Sequence, residues 1–152
     1  MSIEANLKNL KIELPSPAKP SFEYVPVVIH NGIAFISGQL PKEDGEVRIT
    51  GKVGKDVTME EAQRAAEICI LQGLSCLKQE IGSLDNVEKI IKINGYVSSA
   101  QDFNQQPKVL DAASQLLIKI FGEKGRHARA AVGVYELPRN TPVEIEMTVA
   151  VK

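Results

Sequence analysis

A chain of 152 residues with 43% hydrophobic and 24% charged residues and no Trp has the size and make-up of one globular domain that buries its core without disulfides or metal. Its 18 Lys and Arg against 19 Asp and Glu leave a net charge of -1, so no basic field is available to gather nucleic acid by counterion release. The two cysteines, Cys69 and Cys76, lie two turns apart on one predicted helix, too far for a disulfide, and His30 and His127 are too few for a Cys/His zinc set. Neither a metal nor another cofactor is implied. The first 15 residues lack a positive-then-apolar signal pattern, and no apolar run approaches the roughly 20 residues of a membrane span, so a cytoplasmic location is expected.

In chain order, residues 4–10 predict a short helix, and Pro15, Pro17 and Pro20 hold the following stretch extended. Residues 1–20 are thus expected to be an arm and 21–152 a single domain. Two β-rich runs, Tyr24 to His30 and Ile33 to Gly38, flank Asn31-Gly32, a dipeptide whose members both accept positive φ and so favour a hairpin turn. Pro41 to Lys55 reads as a loop or a short edge strand around Val47-Arg48-Ile49. Thr58-Met59-Glu60-Glu61 is a capping box, and Ala62, Ala65, Ala66, Cys69, Gly73, Cys76 and Leu77 then recur at helical spacing toward Glu80, closed by Gly82. Val87 to Val97 predicts a strand. Asn104 to Pro107 reads as the cap and first turn of a second helix, carried by Val109, Ala113, Leu116, Leu117 and Ile120 and ended by Gly122 and Gly125. Ala128 to Glu136 and Val143 to Val151 are the last two strands. The order β-β-α-β-α-β-β predicts an α+β fold, one mixed sheet covered on one face by two helices.

In the final strand Val143, Ile145, Met147, Val149 and Val151 alternate with Glu144, Glu146, Thr148 and Ala150, which turns both glutamates away from the helices. In the strand before it, the apolar set Ala128, Ala130, Val132 and Val134 is expected to face the helices. Arg129 would then share the helix-free face with Ala131, Gly133 and Tyr135. A hairpin about Arg139-Asn140 would set Glu144 opposite Tyr135 and leave Arg129 roughly 20 Å away, so the two could cooperate only across a subunit boundary. By pattern alone Arg129 fits an interface or surface ion pair as well as a ligand group, and Glu144 and Glu146 fit solvated strand positions. His127, after a Gly-rich turn and with no partnered Ser or Cys nucleophile in view, reads as an exposed histidine. Gly38, at a strand end, would let a ligand approach the backbone closely.

The segment Arg126 to Glu146, read as a small residue, Arg, a Val-rich strand, Leu-Pro, a short turn and Val-Glu-Ile-Glu, together with Ile36-Ser-Gly-Gln-Leu-Pro, resembles the signature of the Rid/YjgF family of reactive-intermediate deaminases. The resemblance spans about residues 20–151. It implies a chorismate-mutase-like fold, a homotrimer whose sheets form a central barrel, and intersubunit sites that hydrolyse 2-imino acids to 2-oxo acids and ammonia. Carried over by position, Arg129 would bind the substrate carboxylate, Glu144 would help place the attacking water, and Tyr24, Ser37 and Gly38 would line the cleft. The expected ligand is a small 2-imino or 2-oxo carboxylic acid. Ala130-Ala131 stands where many deaminases carry Ser-Cys, and residues 104–127 are longer than in the core deaminases, which marks a divergent branch. The rival reading is a non-catalytic trimer that binds small carboxylates. An endoribonuclease, an activity attached to some relatives, fits poorly with the neutral charge and the lack of an aromatic-basic stripe.

Overall fold

A computed structural model describes residues 2–17, 19 and 23–152. The expected extension at Pro20 and the arm boundary at 20–21 lie outside the described residues. Helix α1 (Ile3–Asn9) starts at Ser2, whose hydroxyl accepts from the Ala5 N–H. It is fastened to the body by polar bonds: Asp85 accepts from the Ile3 N–H at 2.6 Å, Glu4 pairs with Lys78 at 2.9 Å, and the Asn6 amide donates to the carbonyls of Lys119 and Ile120.

Strands β1 (Val27–His30) and β2 (Ile33–Gln39) form the expected hairpin, with Asn31 and Gly32 at φ 51° and 76°. The polar stretch that follows is a small ribbon of β3 (Lys42–Glu43) and β4 (Glu46–Val47), somewhat earlier than the edge strand expected at residues 47–49. Helix α2 (Met59–Ile81) opens on a complete capping box: Thr58 Oγ1 accepts from the Glu61 N–H at 3.1 Å, and Glu61 accepts from the Thr58 N–H at 3.0 Å. Strand β5 (Val87–Ser98) leads to α3 (Gln106–Phe121), which starts at Gln105 with no side-chain cap, so the cap expected of Asn104 is not made. Strands β6 (Ala128–Val134) and β7 (Val143–Val151) complete the chain.

The five long strands form one mixed sheet in the order β1-β2-β7-β5-β6. Strand β7 is antiparallel to β2 on one side and to β5 on the other, while β6 runs parallel to β5 at the edge. The expected β6–β7 hairpin is therefore incorrect. Strand β5 lies between them, and residues 135–142 carry the chain across it. A parallel β5–β6 pair needs the α3 crossover, which leaves β6 at the edge and the central slot for β7.

Both long helices cover the same face, α2 over β2 and β7 and α3 over β5 and β6. The core between the layers holds Val143, Ile145, Met147, Val149 and Val151 of β7, with Ile90, Ile93 and Val97 of β5 and the small-sided stripe Ala62, Ala65, Ala66 and Cys69 of α2. Cys69 and Cys76 are buried and unbridged, as their spacing predicts. Among the described residues no helix is long and apolar enough to cross a membrane. Replacing Thr58 by Ala removes the acceptor of the capping box and should cost about 1 kcal/mol, read as a lower midpoint with an unchanged slope in urea unfolding.

Candidate functional site

The pairing of β2 with β7 slips at one place: Ile36 faces Met147, yet Gln39 faces Ile145. Three steps on β2 against two on β7 make a β-bulge at Ser37-Gly38, a device that re-aims side chains at the end of a ladder. The bulge brings the next residue of β7, Glu144, against the Gly38 backbone. A Cβ at position 38 would lie 2.5 Å from a Glu144 carboxylate oxygen, so the glycine leaves room for that carboxylate to lie against bare backbone. Ser37 fastens the lead-in segment, its N–H donating to the Pro26 carbonyl and its hydroxyl to the Val25 carbonyl at 2.8 Å. Tyr24, next in the chain before Val25, is half exposed beside this anchor. Tyr24, Ser37, Gly38 and Glu144 thus belong to one end of the sheet, around the β2–β7 ladder.

On the helix-free face the Glu144 side chain is half-buried, and its carboxylate makes no hydrogen bond or ion pair with any described residue. Burial, and then the neighbouring Glu146, push its carboxyl above the ordinary range. Glu146 is tied down by two residues of β5, the Asn94 amide donating to its Oε1 at 3.0 Å and the Tyr96 hydroxyl to the same oxygen at 2.7 Å. Donating that bond holds the phenol proton, so Glu146, and then burial, raises the pKa of Tyr96. Asn94 and Tyr96 are not among the residues singled out by sequence, and Glu146, read there as a solvated strand position, is instead half-buried and hydrogen-bonded. Alternation along β5 groups Asn94 with Tyr96, but only the register Asn94↔Glu146 and Tyr96↔Glu144 joins them to the glutamates.

Arg129 lies elsewhere. Its strand neighbour is Ile93, a core residue, and its Nη1 donates to Asp111 Oδ1 at 2.9 Å and to Ser114 Oγ at 3.1 Å, both on α3. The expectation that Arg129 occupies the helix-free face is therefore overturned: Arg129, Ala131 and Gly133 face α3, and Ala130 and Val132 share the other face with Asn94 and Tyr96. Apolarity misassigned the faces because α3 packs close over β6, where a Cβ on Gly133 would lie 2.7 Å from the Gln106 amide. That side of the edge strand needs small residues, while Val132 on the other side stays 45% exposed. Arg129 and Glu144 are separated by two strand spacings and three residues of register, roughly 14 Å, and point to opposite faces. They still cannot meet in one chain, though for a different reason than a hairpin.

His127 also departs from expectation. It is half-buried, with Nδ1 at 2.6 Å from the Gly125 carbonyl and Nε2 at 2.9 Å from Ser114 Oγ. Burial is the main cause that lowers its pKa, and the positive Arg129 and Lys89 act in the same direction. With Ser114, Ile118, Arg126 and Arg129 it lines an open cavity of about 250 Å³ at the β6 edge. Helical spacing alone leaves Ser114 an ordinary polar position. Among the described residues no group of three or more His, Cys, Asp or Glu could hold a metal ion.

A family model described as "YjgF/chorismate_mutase-like, putative endoribonuclease" matches residues 4–147. The chain belongs to the YjgF family. Relatives with high coverage agree with this. Protein TCP17 of Trypanosoma cruzi is 42% identical over 97% of this chain and 92% of its own length. The crystal structure of Atu1372 from Agrobacterium tumefaciens, a protein of unknown function, is 44% identical with a TM-score of 0.91, covering 99% of this chain and 92% of that one. A Shewanella oneidensis MR-1 structure with the same endoribonuclease description is 31% identical with a TM-score of 0.95, covering 99% and 100%. The α+β, chorismate-mutase-like reading of the sequence therefore stands for this YjgF-family protein.

The raised Glu144 carboxyl has a consequence for stability. Between its ordinary value of 4.5 and its higher folded value, the folded state binds more protons than the unfolded one, so this group subtracts stability as pH rises through that window. Glu144→Gln, which keeps the shape and removes the buried charge, should raise the Tm at pH 7, with the gain fading below pH 4. A variant that melts lower than wild type at pH 7 would show that the carboxylate is stabilising instead. Gly38→Ala should push the Glu144 side chain aside, a small cost in stability because its carboxylate is the mobile end of a side chain. Thermal unfolding combined with the NMR shift of the Glu144 carboxyl carbon checks this.

Proposed function

We propose that this protein hydrolyses reactive 2-imino and enamine acids to 2-oxo acids and ammonia, at sites between subunits of a homotrimer. The observation that carries the reading is a division of the site into two halves. One end of the sheet offers a half-buried carboxyl with a raised pKa, set by a bulge against bare glycine backbone; the edge strand offers an arginine that the same chain cannot deliver there. A second copy would unite them. The exposed apolar side chains of the helix-free face, Val28 and Phe35 at 52% and Val132 at 45%, are the kind of surface that a partner covers. Family membership supports the reading, and so does a solved structure of E. coli TdcF with bound serine, which has this fold with a TM-score of 0.60 at 23% identity.

In this reading the side-on edge of the Arg129 guanidinium takes the substrate carboxylate and neutralises it. Water held by Glu144 adds to the imine carbon, its proton passing through the carboxylate to the nitrogen. The C–N bond of the resulting carbinolamine then breaks, ammonia leaves with the electron pair and a proton, and the 2-oxo acid remains. Imines hydrolyse readily without a catalyst, so positioning and one carboxyl of raised pKa suffice. The Asn94–Glu146–Tyr96 cluster fixes the neighbouring charge that helps raise Glu144.

The test is 2-oxo acid release from imines formed in place by an amino-acid oxidase, with semicarbazide competing for the imine. Wild type should speed imine loss, and Arg129→Ala should lower kcat/KM at least about tenfold. Sedimentation equilibrium should give three times the mass of one chain. A monomer would remove the intersubunit site. A trimer that binds 2-oxo acids without accelerating imine loss would be a carboxylate-binding protein.

A further inference from the structure

The bonds around Arg129 leave no freedom in their direction. The Gly125 carbonyl can only accept, so the His127 Nδ1 at 2.6 Å carries the ring proton. In the neutral ring Nε2 is then a lone pair, and the Ser114 hydroxyl at 2.9 Å must donate to it. Its single proton committed, Ser114 turns oxygen lone pairs toward Arg129, whose Nη1 donates to it at 3.1 Å and to Asp111 Oδ1 at 2.9 Å. Both hydrogens of Nη1 are used. Nε and Nη2, the parallel pair of donors on the other edge, make no hydrogen bond to any described residue. Burial, with the positive Arg129 and Lys89, disfavours the charged imidazole, and the neutral ring is the form that the relay requires. The other charges around the ring are Lys89, which donates to the Glu123 carbonyl, and Arg126, which pairs with Glu123 at 3.1 Å.

We propose that His127 and Ser114 are positioning residues for Arg129: a relay from the Gly125 carbonyl through His127 and Ser114 locks one edge of the guanidinium and presents the other, Nε–H and Nη2–H, to a substrate carboxylate. The carboxylate's place at Arg129 rests on the deaminase reading; the lock itself does not. The relay gives a role to His127, which the hydrolysis above does not use, and makes Asp111 a clamp on Nη1 that leaves the ligand-facing edge free. Pre-organisation of this kind acts on binding, because a guanidinium already held in the productive orientation loses less freedom when the carboxylate arrives.

Four variants of the full-length protein test it. Ser114→Ala and His127→Phe break the relay. Ser114→Thr keeps the hydroxyl, and His127→Gln puts an amide oxygen where Nε2 accepts. The first pair should raise KM for the imine, and Kd for 2-oxobutanoate, roughly five- to tenfold with kcat within about twofold, and the second pair should stay near wild type. Loss of kcat in all four alike, or KM unchanged in the first pair, overturns the proposal. Two NMR readouts are independent of activity. In wild type at neutral pH, 15N shifts should place the His127 proton on Nδ1, and rotation about the Arg129 Cζ–Nε bond should be slow and should speed up in Ser114→Ala and His127→Phe. An Nε2-protonated ring, or rotation unchanged by both substitutions, sinks the relay. Failure of wild type to turn over imines or bind 2-oxobutanoate, with the lock intact by NMR, sinks the deaminase reading instead.

Discussion

The last strand of the chain is the one on which the rest depends. Strand β7 is hydrogen-bonded on both sides, to β2 and to β5, so the sheet is not continuous until residues 143–151 are in place. Five of its side chains, from Val143 to Val151, are driven into the layer under α2 by the hydrophobic effect. The strict period of two then leaves Glu144 and Glu146 on the far face regardless of their charge. Burial of the core face thus holds carboxylates where a surface strand would not keep them fixed. Because its partners lie far back in the chain, this pairing is a long-range one of the kind that forms late in folding.

The bulge at Ser37-Gly38 gives that scaffold its candidate site. A regular ladder would carry the β2–β7 register on without interruption; one extra residue on β2 places bare backbone beside Glu144. The carboxyl ends half-buried, close to a second carboxyl and without a cation among the described residues, which is the physical origin of its raised pKa. At the opposite edge, Arg129 is held by α3 through Asp111 and Ser114. In the proposed deaminase it is a second copy of the chain that would bring the two halves together.

Much of the fold was legible because it rests on local rules. Thr58 with Glu61 announced the start of α2, Asn31-Gly32 the first hairpin, and the alternation of β7 its buried face. The face of β6 was misread because both of its faces are built of small or apolar residues, one crowded by α3 and one left exposed, so that hydrophobicity carries no sign there. The β6–β7 hairpin was misread for a related reason: a short connection between two strands looks the same in sequence whether they pair directly or straddle a third.

By itself, then, the sequence determined the elements, the buried face of β7 and the family to which the chain belongs, since these follow from neighbours a few residues apart and from a contiguous motif. Only the tertiary structure decided that Glu144 meets Gly38, that Asn94 and Tyr96 hold Glu146, and that Arg129 turns toward Ser114 and His127. Those contacts depend on strand order, on one slip of register and on how closely a helix lies over an edge strand. Each of these is fixed by packing of the whole chain, and no local pattern encodes it.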